Sequence, residues 1–367
     1  HPRSHGKPDQ NHIDPGEFSR AVSILKRRFR GECQDQTEGE KHGPVLVGLV
    51  GPPYREEKKN QREADCSVGY KAIRQGARTT GLIFPRRILF RHENAPPPPR
   101  ILSIAGSDSS GGAGIQADIK TITMLGGYAM TAITAVTAQN TCGVIGVEAL
   151  SPQFVLDQVE SCLSDIGADA IKIGMLGSPE TATLLAERLD TFAGPIVFDP
   201  VMVATSGSIL ADEDTIASFA ALMDIATVVT PNLPELGVLA GWETIADDEV
   251  FDAAAALASR FGVQVLAKGG HAGDETQVVD RIMSPTGKLA SFAHARIQTR
   301  HTHGTGCTLS SALATMLGYR QPLVNAVRIA RAFTYAAIEN APGFGEGSGP
   351  MGHQAVRKLE PPEEIPH

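Results

Sequence analysis

Residues 101–114 of the chain read ILSIAGSDSSGGAG. The first five form an apolar run that is short enough for one buried strand, and the run stops at Gly106. Apolar side chains recur at helical spacing over residues 113–125, so the sequence predicts a strand, a glycine-rich turn and a helix. The glycines let a ligand approach the backbone closely. An ordinary turn capped by Asp108 or Ser109 is an equally open interpretation.

The same alternation of strand and helix continues along the chain. Short apolar runs occur at Ala170–Ile173, Pro195–Phe198, Thr227–Val229 and Val263–Leu266. Amphipathic segments occur at Pro152–Ile166, Pro179–Leu189, Asp212–Met223 and Asp248–Phe261. Regular alternation predicts an α/β fold in which helices cover both faces of a parallel sheet. Such sheets bind ligands at the carboxyl ends of their strands. Those ends hold Gly106, Gly174, Asp199, Thr230 and Gly269.

Composition excludes several classes of protein. The chain has 367 residues, of which 42% are hydrophobic and 20% are charged, which is enough to bury a core. No apolar run approaches the ~18 residues of a membrane span, and the five cysteines lack the spacing of a disulfide framework or a zinc site. The net charge is −8, divided into +7 for residues 1–100 and −15 for the rest. An acidic body suits neither nucleic acid nor anionic membranes, so we expect a soluble cytoplasmic protein without either partner.

Residues 1–99 differ from the rest of the chain. They mix charged bursts with isolated apolar patches, show no sustained periodicity and end in a Pro-rich linker at residues 95–100 (APPPPR). A disordered basic tail, a targeting peptide and residues that are not naturally translated are all open interpretations, although twelve acidic residues argue against a transit peptide. We predict a poorly structured basic extension at 1–99, a folded domain at 100–350 and a C-terminal tail at 351–367.

A second glycine-rich segment, HGTGCT at residues 303–308, precedes a helical run at Leu309–Gly318. Glycines at a helix start expose backbone N–H groups at the positive end of the helix dipole, which favours an anion such as a phosphoryl group. Cys307 falls in the first turn, where the pKa of a thiol tends to fall. A tight turn beside a small buried residue is the alternative. His301 and His303 are weak evidence for a metal site because no further ligands stand near them in sequence.

Two polar segments directly follow predicted strands. TPNLPE at residues 230–235 has the spacing of a helix cap between Asn232 and Glu235. In KGGH at residues 268–271, Lys268 could reach a phosphate or be a solvated strand-end charge. The chain contains neither a Walker-type phosphate loop nor a dinucleotide fingerprint after its first strand.

Taken together, these segments resemble the hydroxymethylpyrimidine/phosphomethylpyrimidine kinase family of thiamine biosynthesis. The resemblance lies in the order and spacing of residues 104–120, 137–141, 172–176, 230–235, 268–271 and 302–308. It spans about residues 100–350 and none of the first 99. It implies a ribokinase-like three-layer fold, with a central, mostly parallel sheet flanked by helices, and a homodimer.

The resemblance also implies roles for individual residues. Gln139 would pair with the aminopyrimidine edge, in a pocket that also contains Gly106, Met175 and Val201. Glu235 and Asp199 would hold Mg²⁺ through water, and Lys268 and Asn232 would lie at the nucleotide. The anion hole and catalytic position would be Gly304, Thr305, Gly306 and Cys307. We expect a Cys307 thiolate to act as the base. Arg300-His301 stands where relatives often carry Lys-Asn, which leaves the contacts at the entry to this loop open.

The function implied is transfer of the γ-phosphoryl group of ATP, with Mg²⁺, to hydroxymethylpyrimidine phosphate and to the free hydroxymethylpyrimidine. A pyridoxal kinase of the same fold and a non-catalytic pyrimidine-binding regulator are the alternatives. Gln139 favours an aminopyrimidine over a pyridine, because its amide both donates and accepts. The intact segment from Gly304 to Cys307 argues against a regulator.

Overall fold

The structure is a computed structural model that describes residues 97–205, 207–242, 245–271 and 276–356. Nearly all of the predicted extension at 1–99 and most of the predicted tail at 351–367 lie outside these ranges. The described residues form a three-layer arrangement of helix, sheet and helix.

A nine-stranded sheet forms the middle layer, in the order β3-β2-β1-β4-β5-β6-β7-β8-β9. Its strands are β1 Arg100–Asp108, β2 Tyr128–Asn140, β3 Gly143–Ala149, β4 Ala170–Ile173, β5 Ile196–Phe198, β6 Val228–Val229, β7 Gln264–Ala267, β8 Gln277–Ser284 and β9 Gly287–Ala295. Pairing is parallel from β2 across to β7 and antiparallel at β3, β8 and β9. The mostly parallel sheet is confirmed, and the antiparallel edges go beyond the strands that the sequence predicted.

Eight α-helices cover the two faces of the sheet in the described ranges. They are α1 Gly114–Met124, α2 Pro152–Asp165, α3 Pro179–Leu189, α4 Glu213–Ile225, α5 Leu233–Ala240, α6 Val250–Phe261, α7 Thr305–Gly318 and α8 Leu323–Glu339. The helices α2 to α6 contribute to one apolar cluster against the sheet, and α1, α7 and α8 contribute to the other. None of them has the length and apolarity needed to cross a membrane.

The helices differ in whether a side chain caps their first turn. Side chains of Ser151, Ser178, Asp212 and Asn232 cap α2, α3, α4 and α5 by accepting a backbone N–H bond. The helices α1 and α7 begin at the two glycine-rich segments, and no side chain caps either of them. Their first N–H groups are therefore left for other partners.

Asp118 on α1 ties four elements together in the interior. Its Oδ2 accepts hydrogen bonds from Ser103 Oγ of β1 at 2.5 Å and from Lys172 Nζ of β4 at 2.9 Å. Its Oδ1 accepts from Ser311 Oγ of α7 at 2.6 Å. Lys172 and Asp118 are both completely buried. Burial alone would lower the pKa of Lys172, but the Asp118 carboxylate raises it above its usual value, so the pair stays charged.

We expect Lys172→Met to lower the free energy of unfolding by about 3–5 kcal/mol, because removing one partner leaves the other as an unpaired buried charge. The double variant Lys172→Met/Asp118→Asn should regain most of that loss, since the neutral amide can accept from one serine hydroxyl through its oxygen and donate to the other through its NH₂ group. Urea unfolding of the parent, single and double variants measures the difference. If single and double variants are equally destabilised, the charge of Asp118 is not the cause.

Candidate active site

A cavity of about 950 Å³ lies at the carboxyl edge of the sheet, a size that suits a small molecule. Every site residue predicted from the sequence lines it: Gly106, Gln139, Met175, Asp199, Val201, Asn232, Glu235, Lys268, Gly304, Thr305, Gly306 and Cys307. Segments that are up to 200 residues apart along the chain therefore meet in one place. What each residue does there stays a prediction.

Asp108 organises the first glycine-rich turn. Its carboxylate accepts hydrogen bonds from the backbone N–H groups of Ser110, Gly112 and Ala113 at 2.8, 3.1 and 2.8 Å. Burial alone would raise the pKa of Asp108, but the hydrogen bonds from His303, Ser110 and Ala113 lower it to about 2. The turn is thus built around a carboxylate rather than around a side-chain cap of α1, whose N-cap residue is Ala113.

The two glycine-rich segments dock directly on each other. Gly304 has a φ of 85°, and a Cβ there would lie 2.0 Å from the carbonyl oxygen of Gly112. A Cβ on Gly112 would in turn lie 2.4 Å from Cδ2 of the His303 ring. His303 Nε2 lies 2.8 Å from Asp108 Oδ2. Any side chain at either glycine would separate the segments, since real Cβ atoms do not approach other atoms this closely.

The start of α7 faces a group of charged side chains. Gly304 is its N-cap residue and has no side chain to accept an N–H bond. The hydroxyl of Thr305 donates to the Thr302 carbonyl at 2.6 Å and so is already committed. A Cβ on Gly306 would lie 3.4 Å from both Lys268 Nζ and Asp199 Oδ2. Helix N–H groups and an ammonium group therefore converge there, an arrangement that favours a phosphoryl anion.

Cys307 contradicts one prediction. Cys307 lines the cavity and is half-buried. Burial raises the pKa of Cys307 to about 11, and the charges of Asp118 and Asp199 add to this effect. Lys172 and the N–H of Gly114 oppose the rise without reversing it. The expectation of a low-pKa thiolate was wrong, because desolvation outweighs the helix start at this position.

Asp199, Lys268 and Glu235 form a polar cluster beside α7. Lys268 Nζ donates to Asp199 Oδ1 at 2.7 Å and lies 3.7 Å from Glu235 Oε2. Burial alone would raise the pKa of Asp199, but Lys268 and Lys172 lower it below its usual value. Burial raises the pKa of Glu235 to about 7, with Lys268 opposing the rise and the Asp199 charge increasing it. One carboxylate of the cluster is firmly ionised, and the other titrates near neutrality.

Asn232 and Glu235 also form the capping box of α5. Asn232 Oδ1 accepts from the Glu235 N–H at 2.8 Å, and Glu235 Oε2 accepts from the Asn232 N–H at 2.8 Å. The helix-capping interpretation of this spacing is therefore correct. It does not exclude a second role, because both residues also line the cavity.

The predicted pyrimidine pocket lies at the end of the cavity near β1 and β2. A Cβ on Gly106 would lie 2.6 Å from Cε of Met175, so a side chain there would displace the end of Met175. The Gln139 amide oxygen accepts from the Thr137 hydroxyl at 3.1 Å. Val201 lines the same cavity, so all four predicted pocket residues contribute to its wall.

Three further residues that line the cavity were not predicted from the sequence: Asp280, His294 and Arg331. Arg331 donates from Nε to Asp280 Oδ2 at 2.7 Å and from a terminal nitrogen to His294 Nδ1 at 2.5 Å. Burial lowers the pKa of His294 to about 4, and Arg331 lowers it further, so the imidazole is neutral at pH 7. No motif joins these three residues, which come from β8, β9 and α8. The sequence pointed to His303 and Asp108 in two separate segments, and it did not predict the contact between them.

Comparison with known proteins agrees with this geometry. The family model described as phosphomethylpyrimidine kinase matches residues 108–352. The hydroxymethylpyrimidine/phosphomethylpyrimidine kinase of Rhizobium meliloti is 44% identical over 256 residues, which cover 69% of this chain and 96% of that protein. The thiamine biosynthesis multifunctional protein ThiED of Corynebacterium efficiens is 43% identical over 267 residues, which cover 71% of this chain. The chain spans 36% of the length of that relative.

Solved structures show the same fold. The pyridoxal kinase of Staphylococcus aureus in complex with AMP-PCP and pyridoxal has a TM-score of 0.65 and 34% identity, and the match covers 72% of this chain and 96% of that one. The phosphomethylpyrimidine kinase of Clostridium difficile 630 has a TM-score of 0.57 and 36% identity, and the match covers 65% of this chain and 99% of that one. The ribokinase-like fold that the resemblance implied is confirmed.

Proposed function

Because this chain belongs to the phosphomethylpyrimidine kinase family, we propose that it phosphorylates an aminopyrimidine in thiamine biosynthesis. The acceptors are 4-amino-5-hydroxymethyl-2-methylpyrimidine phosphate and the free hydroxymethylpyrimidine. The phosphoryl donor is ATP. The Rhizobium meliloti relative is named for both pyrimidine kinase activities.

One observation carries the proposal: the uncapped start of α7 and Lys268 meet in a cavity that the Gln139 amide also lines. Phosphoryl transfer needs positioning and electrostatic stabilisation more than covalent chemistry. The N–H groups that follow Gly304 and the ammonium of Lys268 supply positive charge where a transferring phosphoryl group would develop negative charge. The Gln139 amide in the same cavity offers one donor and one acceptor to a heterocycle.

The test is a comparison of substrates on the full chain with ATP and Mg²⁺. Phosphorylation of the hydroxymethylpyrimidine, of its phosphate and of pyridoxal is followed by phosphorus NMR. Pyridoxal is the second candidate, because the Staphylococcus aureus structure of that kinase contains it. We expect a higher kcat/KM for the pyrimidines than for pyridoxal. A preference for pyridoxal, or ATP turnover without any phosphorylated heterocycle, would contradict the proposal.

Asp199 and Glu235 are the residues that we propose for Mg²⁺. In the described part of the chain, no group of three or more His, Cys, Asp or Glu side chains could hold a metal ion. Mg²⁺ in kinases needs only one or two carboxylates, because waters and nucleotide phosphates complete its shell. Two carboxylates beside the proposed phosphate site therefore fit. When bound, the ion neutralises charge on the phosphates.

We expect Mg²⁺ to compete with a proton at Glu235. The carboxyl has a pKa of about 7, so it is increasingly protonated as the pH falls below 7. The Mg²⁺ concentration for half-maximal rate should then rise by up to about tenfold per pH unit between pH 7 and pH 5. Glu235→Gln should need more Mg²⁺ at pH 8 and should keep only the pH dependence that ATP itself contributes. Parallel titrations for parent and variant would contradict the assignment.

Cys307 is proposed as the base that takes the hydroxymethyl proton, but only in its rare ionised form. With a pKa of about 11, roughly 10⁻⁴ of the thiol is ionised at pH 7, and this fraction rises about tenfold per pH unit. Lys172 and the Gly114 N–H are the groups that favour the thiolate. A loose transition state that needs no base is the competing explanation.

The dependence of kcat on pH separates these two explanations. For the parent, kcat should rise steeply between pH 7 and pH 10. Cys307→Ala should have a flatter profile and a kcat lower by about 10²-fold or more, within the usual contribution of a general base. The pH profile of kcat for Cys307→Asp should be flatter than that of the parent, because a carboxylate is already ionised at pH 7. A flat parent profile together with near-parent rates for Cys307→Ala would identify Cys307 as a packing residue.

A homodimer through β3 completes the proposal. This strand lies at the edge of the sheet, and its side chains Ile145 and Val147 are 83% and 46% exposed. Ile145 is the unpaired residue at a register shift between β2 and β3. The two apolar side chains therefore lie near a bulge, on an edge that is open to pairing. A second copy of the chain would cover both through a two-fold axis.

Ile145→Lys should weaken this dimer by about tenfold or more, because the two-fold axis places two buried charges in the interface. Leu289→Lys is the matched control, since Leu289 is 45% exposed on β9 at the opposite edge of the sheet. Light scattering after gel filtration, over a range of concentrations, measures the mass. A parent that is monomeric throughout, or a dimer that both variants preserve, would reject this interface.

A further inference from the structure

His303 stands between Asp108 and the side chain that is proposed to bind the pyrimidine. It is 4% exposed, and its Nε2 lies 2.8 Å from Asp108 Oδ2. The same Nε2 lies 3.3 Å from the Nε2 position of the Gln139 amide. One ring nitrogen thus faces two polar groups at once. A single nitrogen cannot both donate and accept, so the position of one proton decides both contacts.

That proton belongs on His303 Nε2. Asp108 Oδ2 already accepts hydrogen bonds from the N–H groups of Gly112 and Ala113 at 3.1 and 2.8 Å. The other oxygen, Oδ1, accepts from the N–H of Ser110 at 2.8 Å, so both oxygens act as acceptors, as they do in a carboxylate, and the low pKa of Asp108, about 2, agrees. A carboxylate cannot donate to His303, so at 2.8 Å the imidazole must donate to it.

The same proton fixes the Gln139 amide. A half-turn of a side-chain amide exchanges its oxygen and nitrogen without moving another atom. If the NH₂ group of Gln139 faced the Nε2–H of His303, two donors would oppose each other. If the amide oxygen of Gln139 faces it instead, that oxygen and Asp108 Oδ2 can both accept from the same proton. Thr137 is compatible with this orientation. Its hydroxyl lies 3.0 Å from the Ser107 carbonyl oxygen and 3.1 Å from the Gln139 amide, whose oxygen faces it in the structure. The hydroxyl has one proton, so donating it to the Ser107 carbonyl leaves Oγ1 to accept from the NH₂ group of the turned amide.

We propose that His303, held by Asp108, fixes the Gln139 amide with its oxygen toward His303 and its NH₂ toward Thr137, and thereby decides which way round an aminopyrimidine sits. The inference rests on the proposed function for its substrate. It makes His303 a positioning residue that determines specificity and does not itself touch the reacting atoms.

The orientation matters because the substrate edge is asymmetric. On the aminopyrimidine, a ring nitrogen that accepts lies beside an amino group that donates, and the amino group is next to the carbon that carries the hydroxymethyl group. If the oxygen of the Gln139 amide lies on the His303 side, it accepts a hydrogen bond from the substrate amino group on that side. His303 is bonded to Gly304, so the hydroxymethyl group then lies toward the segment from Gly304 to Cys307. The opposite amide orientation would turn the hydroxymethyl group away from that segment.

The test compares two substrates on three proteins: the parent, His303→Leu and His303→Gln. The substrates are the aminopyrimidine and its 4-oxo analogue, in which the ring nitrogen donates and the exocyclic oxygen accepts. Leucine removes the donor. The amide of glutamine restores N–H groups near the Nε2 position and can serve both Asp108 and Gln139. Thermal melting of each variant and its KM for ATP report whether the fold and the nucleotide site are intact.

We expect the parent to prefer the aminopyrimidine by about 100-fold or more in kcat/KM, as sites built around paired hydrogen bonds do. His303→Leu should reduce this preference at least tenfold, and His303→Gln should recover most of it. If His303 had a purely structural role, His303→Leu would lower kcat/KM for both substrates by the same factor and leave the ratio of the two values unchanged. That unchanged ratio in His303→Leu would overturn the inference while leaving the proposed function intact. A parent that phosphorylates neither pyrimidine would instead refute both.

A second measurement does not depend on the variants folding. The parent is labelled with nitrogen-15 histidine, and the ring signals of His303 are recognised by their loss in either His303 variant or by their contacts with Asp108 and Gly112. We expect a proton on Nε2 between pH 6 and pH 8. An unprotonated Nε2 in that range would overturn the inference, because the amide of Gln139 would then have to turn its NH₂ group toward His303.

Discussion

The buried carboxylate of Asp118 is the constraint on which the rest of the structure depends. It is bonded to Ser103 on β1, Lys172 on β4 and Ser311 on α7, and all of these groups are inaccessible to water. A charge at this depth is tolerable only if its partners stay in place. The angle between α1 and α7 is therefore fixed against the sheet. Because both helices begin at glycine-rich segments, the same constraint directs their two free N-termini toward one cavity.

Close packing then turns these segments into a site. The contact of Gly304 with Gly112 leaves no room for a Cβ on either residue, and it brings His303 against Asp108. Burial dominates the ionisation of two groups in this cavity, Glu235 and Cys307. The pKa of Glu235 rises to about 7 and that of Cys307 to about 11. Under the proposed function, both groups give up protons most readily when a cation or a transferring phosphoryl group balances their charge.

The fold does not by itself separate pyrimidine kinases from pyridoxal kinases, since structures of both superpose on this chain. The difference must lie in the groups that meet the heterocycle. Gln139 is the hydrogen-bonding group among the residues that the sequence identified for this pocket. Its amide can present its donor and acceptor in either order, and under our proposal this order depends on a histidine 164 residues further along the chain. Substrate choice would then be a property of a hydrogen-bond network that joins β1, β2 and the start of α7.

The sequence by itself determined much of the alternation of strands and helices from Arg100 onward, because apolar periodicity and glycine positions are local. It also indicated the family and twelve of the residues that line the cavity, most of which lie at strand ends or helix starts in recognisable segments. The parallel strand β2, the antiparallel strands at the edges and helix α8 were not predicted, and neither was the group of Asp280, Arg331 and His294. Only the tertiary structure decided the ionisation of Cys307, because the desolvation that raises its pKa comes from residues far away in sequence. Only the tertiary structure paired His303 with Asp108, 195 residues apart, because such a contact exists only once the sheet and both helices have packed.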